Sequence, residues 1–272
     1  MAELLGDLQA SFEQMWPIAG AEDWDAPGLV CGSRHKRVSR ILLTVDVTSA
    51  VIEEAIAGGF DLVLAHHPLL LRGIKTLDES TAKGSILSRA IRSDVAIYAA
   101  HTNADIVARG VSAALSDALE LENSVPLSSL AGNSGHGRVG NLSVTLTLGE
   151  LAKRIARVIP STASGVRVSG DYESEVRRVA LCGGAGDSFI ELAYESAAEV
   201  YITSDLRHHP VQEARERAFA ENREFALIDI SHWAAEWLWL EWAARDIRDR
   251  FDSVQVVVSE IRTDPWDFAV TQ

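Results

Sequence analysis

The chain has 272 residues, 47% of them hydrophobic, which suits one large domain or two of ordinary size and excludes a disordered chain. Its 25 Lys and Arg stand against 39 Asp and Glu, a net charge of −14 whose field repels polyanions, so no extended nucleic-acid interface is expected. Cys31 and Cys182 have no local spacing pattern, so no disulfide framework is expected and a reducing compartment fits.

The first sixteen residues carry Glu3, Asp7 and Glu13 with no basic region or long apolar core, so no signal peptide is expected. The longest apolar runs are of strand length, which places the chain in the cytoplasm and off the membrane as an expectation. Leu4, Leu5, Leu8, Phe12 and Met15 recur at helical spacing, and Pro17 ends that helix. A short strand near Leu29 to Cys31 follows, then strand Ile41 to Val47. Thr48 or Ser49 caps a helix over Ala50 to Gly58. Strand Leu62 to Ala65, helix Lys83 to Ser93, strand Val95 to Ala100 and helix Val111 to Leu119 complete the first half.

Asn123 to Gly140 is poor in periodicity and collects Ser128, Ser129, Gly132, Ser134 and Gly135, which marks a linker. The expected division is a first α/β lobe at 1–125, a linker at 126–140 and a second lobe at 141–272. In the second lobe come strand Leu142 to Leu148, helix Leu151 to Val158, strand Val166 to Ser169 and strand Arg178 to Cys182. A turn is expected at Gly183 to Asp187, before helix Ser188 to Ser196. Its glycines read either as an anion-binding turn or as close strand–helix packing. Strand Val200 to Thr203, a helix from about Val211, strand Phe225 to Ile230, helix His232 to Ile247 and strand Val254 to Ser259 follow. Alternating strands and helices of these lengths indicate βαβ units and an α/β fold with largely parallel sheets. Phe60 to Pro68 and Glu199 to Pro210 echo each other, each an apolar strand leading to His-His-Pro. The echo reads equally as a duplication or as chance.

Three strand or helix ends carry metal-binding side chains. His66 and His67 close a strand before Pro68. Adjacent strand residues point to opposite faces, so the two imidazoles converge only where the pleat breaks; one buried and one exposed histidine is the equal alternative. His101-Thr102-Asn103-Ala104-Asp105 follows the next strand. Asp105 is a candidate bridging carboxylate, although taken alone an Asp that caps a turn is the commoner reading. His232 and Glu236, four apart on a helix, project from one face; a surface pair is the commoner reading, but Trp233, Trp237, Leu238, Trp239 and Leu240 around them argue for a buried cleft. Three histidines and two carboxylates are too many for one tetrahedral zinc and enough for a dinuclear metal site. His101 is the candidate acid or base. Asp25, Asp46, Asp205, His208 and His209 are candidates for supporting the ligands or lining a substrate cleft, and solvent exposure reads slightly better for the last two.

Taken together these motifs resemble the NIF3-like family, whose members are also called GTP cyclohydrolase I type 2 homologues. The resemblance rests on His66-His67-Pro68-Leu69-Leu70, Gly73-Ile74-Lys75, Lys83-Gly84 and Ala99-Ala100-His101-Thr102-Asn103 with Asp105. It continues through Gly137-Arg138-Val139-Gly140, Tyr201-Ile202-Thr203-Ser204-Asp205 and Ser231-His232 with Glu236. It implies two α/β lobes with mixed, largely parallel sheets, a dinuclear metal site in the cleft, and a ring-shaped homohexamer. The ligands it implies are His66, His67, Asp105, His232 and Glu236. The short linker near Ser124 to Gly137 is expected to leave no room for the extra middle domain of some members. Two departures are Ala26-Pro27 after Asp25, where an Asn is usual, and Ser204 where a Gly is usual. Two divalent transition-metal ions (Zn, Fe, Mn or Co) are expected. The leading expectation is a metal-dependent hydrolase acting on a nucleotide or other phosphorylated or heterocyclic small molecule. The alternative is a non-enzymatic metal-binding scaffold, carrier or chaperone.

Overall fold

In a computed structural model that describes residues 2–271, the apolar runs of the sequence form the central strands of two separate sheets. The chain divides into two compact units, Met1–Ala104 with Leu240–Thr263, and Asp105–Trp239 with Asp264–Gln272. Among the described residues no helix is long and apolar enough to cross a membrane.

The first unit is built on a five-stranded sheet in the order Gln255–Val258, Arg40–Thr44, Leu62–Ala65, Ala96–Ala99, Gly28–Cys31. The first four strands run parallel and the last pairs antiparallel with Ala96–Ala99. Both faces are covered, which is why these strands read as continuous apolar runs. Leu42, Val63 and Ile97 share a core with Val51, Ile52 and Ala55 of helix Ser49–Ala57 and Ile86, Leu87 and Ala90 of helix Ala82–Arg92. Tyr98, the next residue after Ile97, turns to the opposite face, where its ring lies 5.1 Å from that of Phe12 in helix Leu5–Met15. Thr48, not Ser49, caps helix Ser49–Ala57, its side chain accepting from the Val51 N–H at 3.3 Å.

The second unit carries a six-stranded sheet in the order Arg167–Ser169, Ala226–Ile230, Val200–Ser204, Glu175–Ala185, Arg138–Thr147, Glu122–Val125. Only the pairings of Val200–Ser204 with its two neighbours are parallel, so this sheet is mostly antiparallel and the expectation of largely parallel sheets holds only for the first unit. Helices Ile190–Glu195 and His208–Ala220 share a core with the strands through Ala193, Tyr194, Ala214 and Ala218 against Ala180, Tyr201 and Leu227.

Three sequence expectations change. The division near residue 125 moves to Ala104/Asp105, because helix Val111–Ala118 packs on strand Glu175–Ala185: the Gly183 N–H donates to Ser112 Oγ at 3.1 Å, and a Cβ on Gly183 would meet Val111 at 2.5 Å. The stretch 126–140 is not a free linker. Ser128–Ser129 pairs with Gly135–His136, and the buried Arg138 guanidinium donates to the carbonyls of Gly135, Gly137 and Val107. Lastly, the glycines from 183 do not turn. Strand Glu175–Ala185 runs through them with a register shift between Leu181 and Ala185, a β-bulge in which Gly184 has φ +76°. No anion-binding turn forms there.

The His-His-Pro echo has a counterpart in the backbone. Asp61 precedes strand Leu62–Ala65 and its Oδ2 accepts from the N–H groups of Ser39 and Arg40 at 2.8 and 3.0 Å. Glu199 precedes strand Val200–Ser204 and its Oε2 accepts from those of Arg177 and Arg178 at 2.7 and 2.6 Å. The main chain repeats too: Asp61 N–H donates to the Arg40 carbonyl and Glu199 N–H to that of Arg178. Asp61 and Glu199 in turn accept from Ala96 and Ala226. Thus both units contain the same strand–helix–strand–helix–strand repeat. The His-His-Pro ends differ: the first closes a strand, whereas His208 and His209 open helix His208–Ala220, with Pro210 in its first turn, where a missing N–H is tolerated.

Candidate metal centre

In the first unit the main-chain ladder carries on past strand Leu62–Ala65, the N–H groups of His66 and His67 donating to the carbonyls of Thr44 and Val45 at 2.9 and 2.8 Å. The pleat does not separate the two side chains. Their ring centroids are 5.1 Å apart, and those of His66 and His67 are 5.2 and 5.3 Å from that of His101. One nitrogen from each of His66, His67 and His101 lies within 4.8 Å of the other two, a spacing that can hold a metal ion. His66 is fully buried; His67 and His101 are partly buried.

Each imidazole is anchored through Nδ1. His66 Nδ1 lies 2.8 Å from the Ala100 carbonyl oxygen, which only accepts, so Nδ1 is the donor. His67 Nδ1 lies 2.7 Å from Asp46 Oδ1, and Asp46 Oδ2 accepts from Thr263 Oγ1 at 2.6 Å. His101 Nδ1 lies 2.7 Å from Asp25 Oδ1, and the same carboxylate accepts from the N–H groups of Ala26 and Thr102 and from the Thr102 hydroxyl. Burial alone would raise the Asp25 pKa, but the hydrogen bonds from His101 and Thr102 and the charge of His101 outweigh it and hold the carboxyl well below its usual range. Trp24 sets its ring edge-on to His101 at 5.8 Å. The loop at Ala26-Pro27 therefore still delivers the Asp25 carboxylate to its imidazole.

The second unit repeats this arrangement. His232 opens helix His232–Arg248, its Nδ1 lies 2.7 Å from Asp205 Oδ2, and its Nε2 lies 2.9 Å from Oε1 of the buried Glu236. Asp205 takes φ +56°, a left-handed conformation that Asp tolerates better than most residues, at the turn after strand Val200–Ser204. Burial pushes the His232 pKa down, but the charge of Glu236 and the bonds to Asp205 and Glu236 push it up further, to about 11. The ion-free imidazole is therefore protonated, and a metal at Nε2 takes the place of that proton. Gly184 completes this arm: a Cβ built on it would lie 2.7 Å from Glu236 Oε1 and 3.6 Å from His232 Nε2. Asp105 ends the single helical turn Thr102–Asp105. Burial, then Asp105, and also Glu236 push the Cys182 thiol up to about 12, which places both carboxylates within electrostatic reach of one buried side chain and keeps that thiol protonated.

The structure thus brings Asp25, Asp46, His66, His67 and His101 together in one unit, and Asp205, His232 and Glu236 together in the other. His208 and His209 instead pack edge-to-face with each other at 5.2 Å, both exposed. Thr263, Thr102, Trp24 and Gly184 were not singled out from the sequence. The Gly run hinted at a close approach; Thr102 and Trp24 are chain neighbours of His101 and Asp25 whose contacts cross from one of these segments to the other, and Thr263 reaches Asp46 from 217 residues away. All four imidazoles use Nδ1 for an oxygen acceptor and direct Nε2 elsewhere, the build of metal-ligating histidines. Imidazole nitrogens with carboxylates suit a divalent transition metal, so the donor set fits the group that the resemblance implies.

These motifs have a family context. The chain belongs to the Duf34/NIF3 (NGG1p interacting factor 3) family, whose profile matches residues 4–265. A "GTP cyclohydrolase 1 type 2 homolog" of Streptomyces coelicolor is 43% identical, over 96% of this chain and 93% of that protein. Among solved structures, a Staphylococcus aureus hypothetical protein superimposes with a TM-score of 0.89 at 25% identity, over 98% of this chain and 99% of its own. A Bacillus cereus protein related to NIF3 gives 0.88 at 24%, over 97% and 99%, and supports the fold.

Proposed function

We propose that this NIF3-family chain binds two divalent transition-metal ions through His66, His67, Asp105, His232 and Glu236, and that it is a metal-dependent hydrolase of a nucleotide or another phosphorylated or heterocyclic small molecule. The observation that carries the reading is the common build of the histidines, each orienting its ring by committing Nδ1 to an oxygen acceptor, as metal-ligating imidazoles do. When bound, such ions polarise a substrate oxygen and bring the pKa of water toward neutrality.

The chain's own residues supply the rest. Asp46 and Asp205 fix the ring orientation and tautomer of His67 and His232. His101 is the proton-transfer group: its Nδ1 is held by an anionic Asp25, which orients the ring and stabilises the imidazolium formed when Nε2 takes a proton. The substrate class rests on the family resemblance.

The test is elemental analysis of protein purified without chelator, followed by a nucleotide and phosphate-ester hydrolysis panel with the metals found. About two ions per chain and turnover are expected. Glu236→Gln should lose metal, whereas His101→Gln should keep it and lose turnover. Loss of metal in His101→Gln would make His101 a ligand. Two ions with no turnover across the panel would favour the scaffold or carrier.

A further inference from the structure

The chain passes from the first unit to the second at the peptide bond between Thr263 and Asp264. Each of these two side chains is fastened within its own unit, and each fastening leads to an imidazole of the candidate metal centre.

On the Thr263 side, the exit from strand Gln255–Val258 is pinned. The N–H of the buried Ser259 donates to the Leu43 carbonyl at 2.8 Å, and its hydroxyl donates to Glu54 Oε2 at 2.6 Å. Further on, the Thr263 hydroxyl donates to Asp46 Oδ2 at 2.6 Å, while Asp46 Oδ1 lies 2.7 Å from His67 Nδ1. The carboxylate thus gives one oxygen to the ring and the other to the segment. Held at both oxygens, it keeps one orientation, and so does the imidazole that it steers.

On the Asp264 side, the carboxylate is buried, and its Oδ1 accepts from the hydroxyl of the buried Ser231 at 2.6 Å. Its Oδ2 accepts from the Trp266 N–H at 3.3 Å. Ser231 caps helix His232–Arg248: its Oγ accepts from the Ala234 N–H at 3.2 Å and its carbonyl from the Ala235 N–H at 3.0 Å. A hydroxyl that donates to a carboxylate becomes the stronger acceptor for the N–H behind it. The negative charge also stands at a helix N-terminus, where the dipole favours it. The turn capped in this way carries His232 at its start and leads to Glu236.

We propose that Thr263 and Asp264 are positioning residues for the metal ligands, Thr263 for His67 through Asp46, and Asp264 for His232 and Glu236 through the Ser231 cap. Both roles rest on the ligand set proposed above. Because one peptide bond joins them, the two supports are coupled: a segment released at one anchor loosens the other.

The test measures zinc affinity of the full chain by competition with a chromogenic chelator, beside the imidazole nitrogen resonances of the metal-free protein. Thr263→Val and Asp264→Ala should each weaken zinc binding about tenfold, the lower end for groups that orient a ligand from behind. Thr263→Ser, which keeps the hydroxyl, should bind zinc as the wild type does, and Asp264→Asn, which keeps an oxygen for Ser231, should recover part of the loss. Thr147→Ala removes the cap of helix Leu148–Val158 and should leave zinc affinity unchanged, which separates positioning from lost stability. In the double variant Thr263→Val/Asp264→Ala the loss should fall short of the product of the single losses. In metal-free protein Thr263→Val should move the His67 Nδ1 resonance, and Asp264→Ala those of His232. Wild-type affinity in Thr263→Val or Asp264→Ala, no rescue by Thr263→Ser, an equal loss in Thr147→Ala, single losses that multiply, or unmoved resonances would each overturn the proposal. A wild-type chain that takes up no zinc or other divalent transition metal would defeat the metal reading itself, and the resonances of the metal-free protein would then decide whether Thr263 and Asp264 position the imidazoles.

Discussion

Gly184→Ala separates the metal arm of the second unit from its backbone. Gly184 has φ +76°, where an L-residue costs about 1–2 kcal/mol, offset by roughly 0.4–1 kcal/mol because Ala restricts the unfolded chain. Gly165 is the control. It has φ +61° with nothing within 4 Å of an added Cβ, so Gly165→Ala should register only this backbone effect, a destabilisation of at most about 1.5 kcal/mol. Gly184→Ala should exceed it, because its Cβ falls 2.7 Å from Glu236 Oε1. Glu236 is 3% exposed and cannot swing into water, so its carboxylate must give up its approach to His232 Nε2. Displacing a buried charged hydrogen bond adds about 1.5–3 kcal/mol. Urea unfolding of both variants measures the difference, and elemental analysis measures metal. Equal destabilisation in the two variants, with full metal content in Gly184→Ala, would refute the view that Gly184 makes room for Glu236.

Two further perturbations address the scaffold around the sites. Ser204 is fully buried and its Oγ has no hydrogen-bond partner, so Ser204→Ala should raise stability by up to about 1–2 kcal/mol in thermal or urea unfolding, and a loss of stability would show that the hydroxyl is used. Burial works to raise the Asp61 pKa, but bonds from Ser39 and Arg40 and the charge of Lys36 lower it overall. Its stabilisation is therefore complete above the unfolded value near 3.9 and fades as pH falls through the folded value; the deficit of Asp61→Asn, about 1–2 kcal/mol at neutral pH, should shrink below about pH 4, and a pH-independent deficit would contradict the assignment.

What the sequence disclosed depended on burial. Strands Leu62–Ala65, Ala96–Ala99 and Val200–Ser204 were legible because both faces are covered and every residue is apolar or small. The edge strands Glu122–Val125 and Arg167–Ser169 are half solvated, so the first read as the start of a linker and the antiparallel character of the second sheet went unseen. The paired motifs pointed to His66, His67, His232 and Glu236, because strand ends and helical spacing are local properties. Convergence is not local. That His101 joins His66 and His67, 34 residues upstream at its closest, depends on neighbouring parallel strands ending level, and that Thr263 supports Asp46 depends on a contact across 217 residues.

The repeated strand–helix–strand–helix–strand core explains why the two units present their donors differently. Counting from the matched acids Asp61 and Glu199, His66 and His67 correspond to Ser204 and Asp205. In the first unit the central strand end supplies the imidazole of His67, and the end of the preceding strand supplies its carboxylate, Asp46. In the second unit the central strand end supplies the carboxylate, Asp205, and the imidazole comes from His232, just beyond the following strand. This exchange leaves the preceding strand with no carboxylate to deliver. It carries instead the bulge at Gly184, and the space a side chain would have filled is occupied by the carboxylate of Glu236. The i,i+4 spacing that brings Glu236 beside His232 on helix His232–Arg248 is thus the second unit's substitute for a histidine pair, which is why its signature in the sequence is a helical spacing and not a dipeptide.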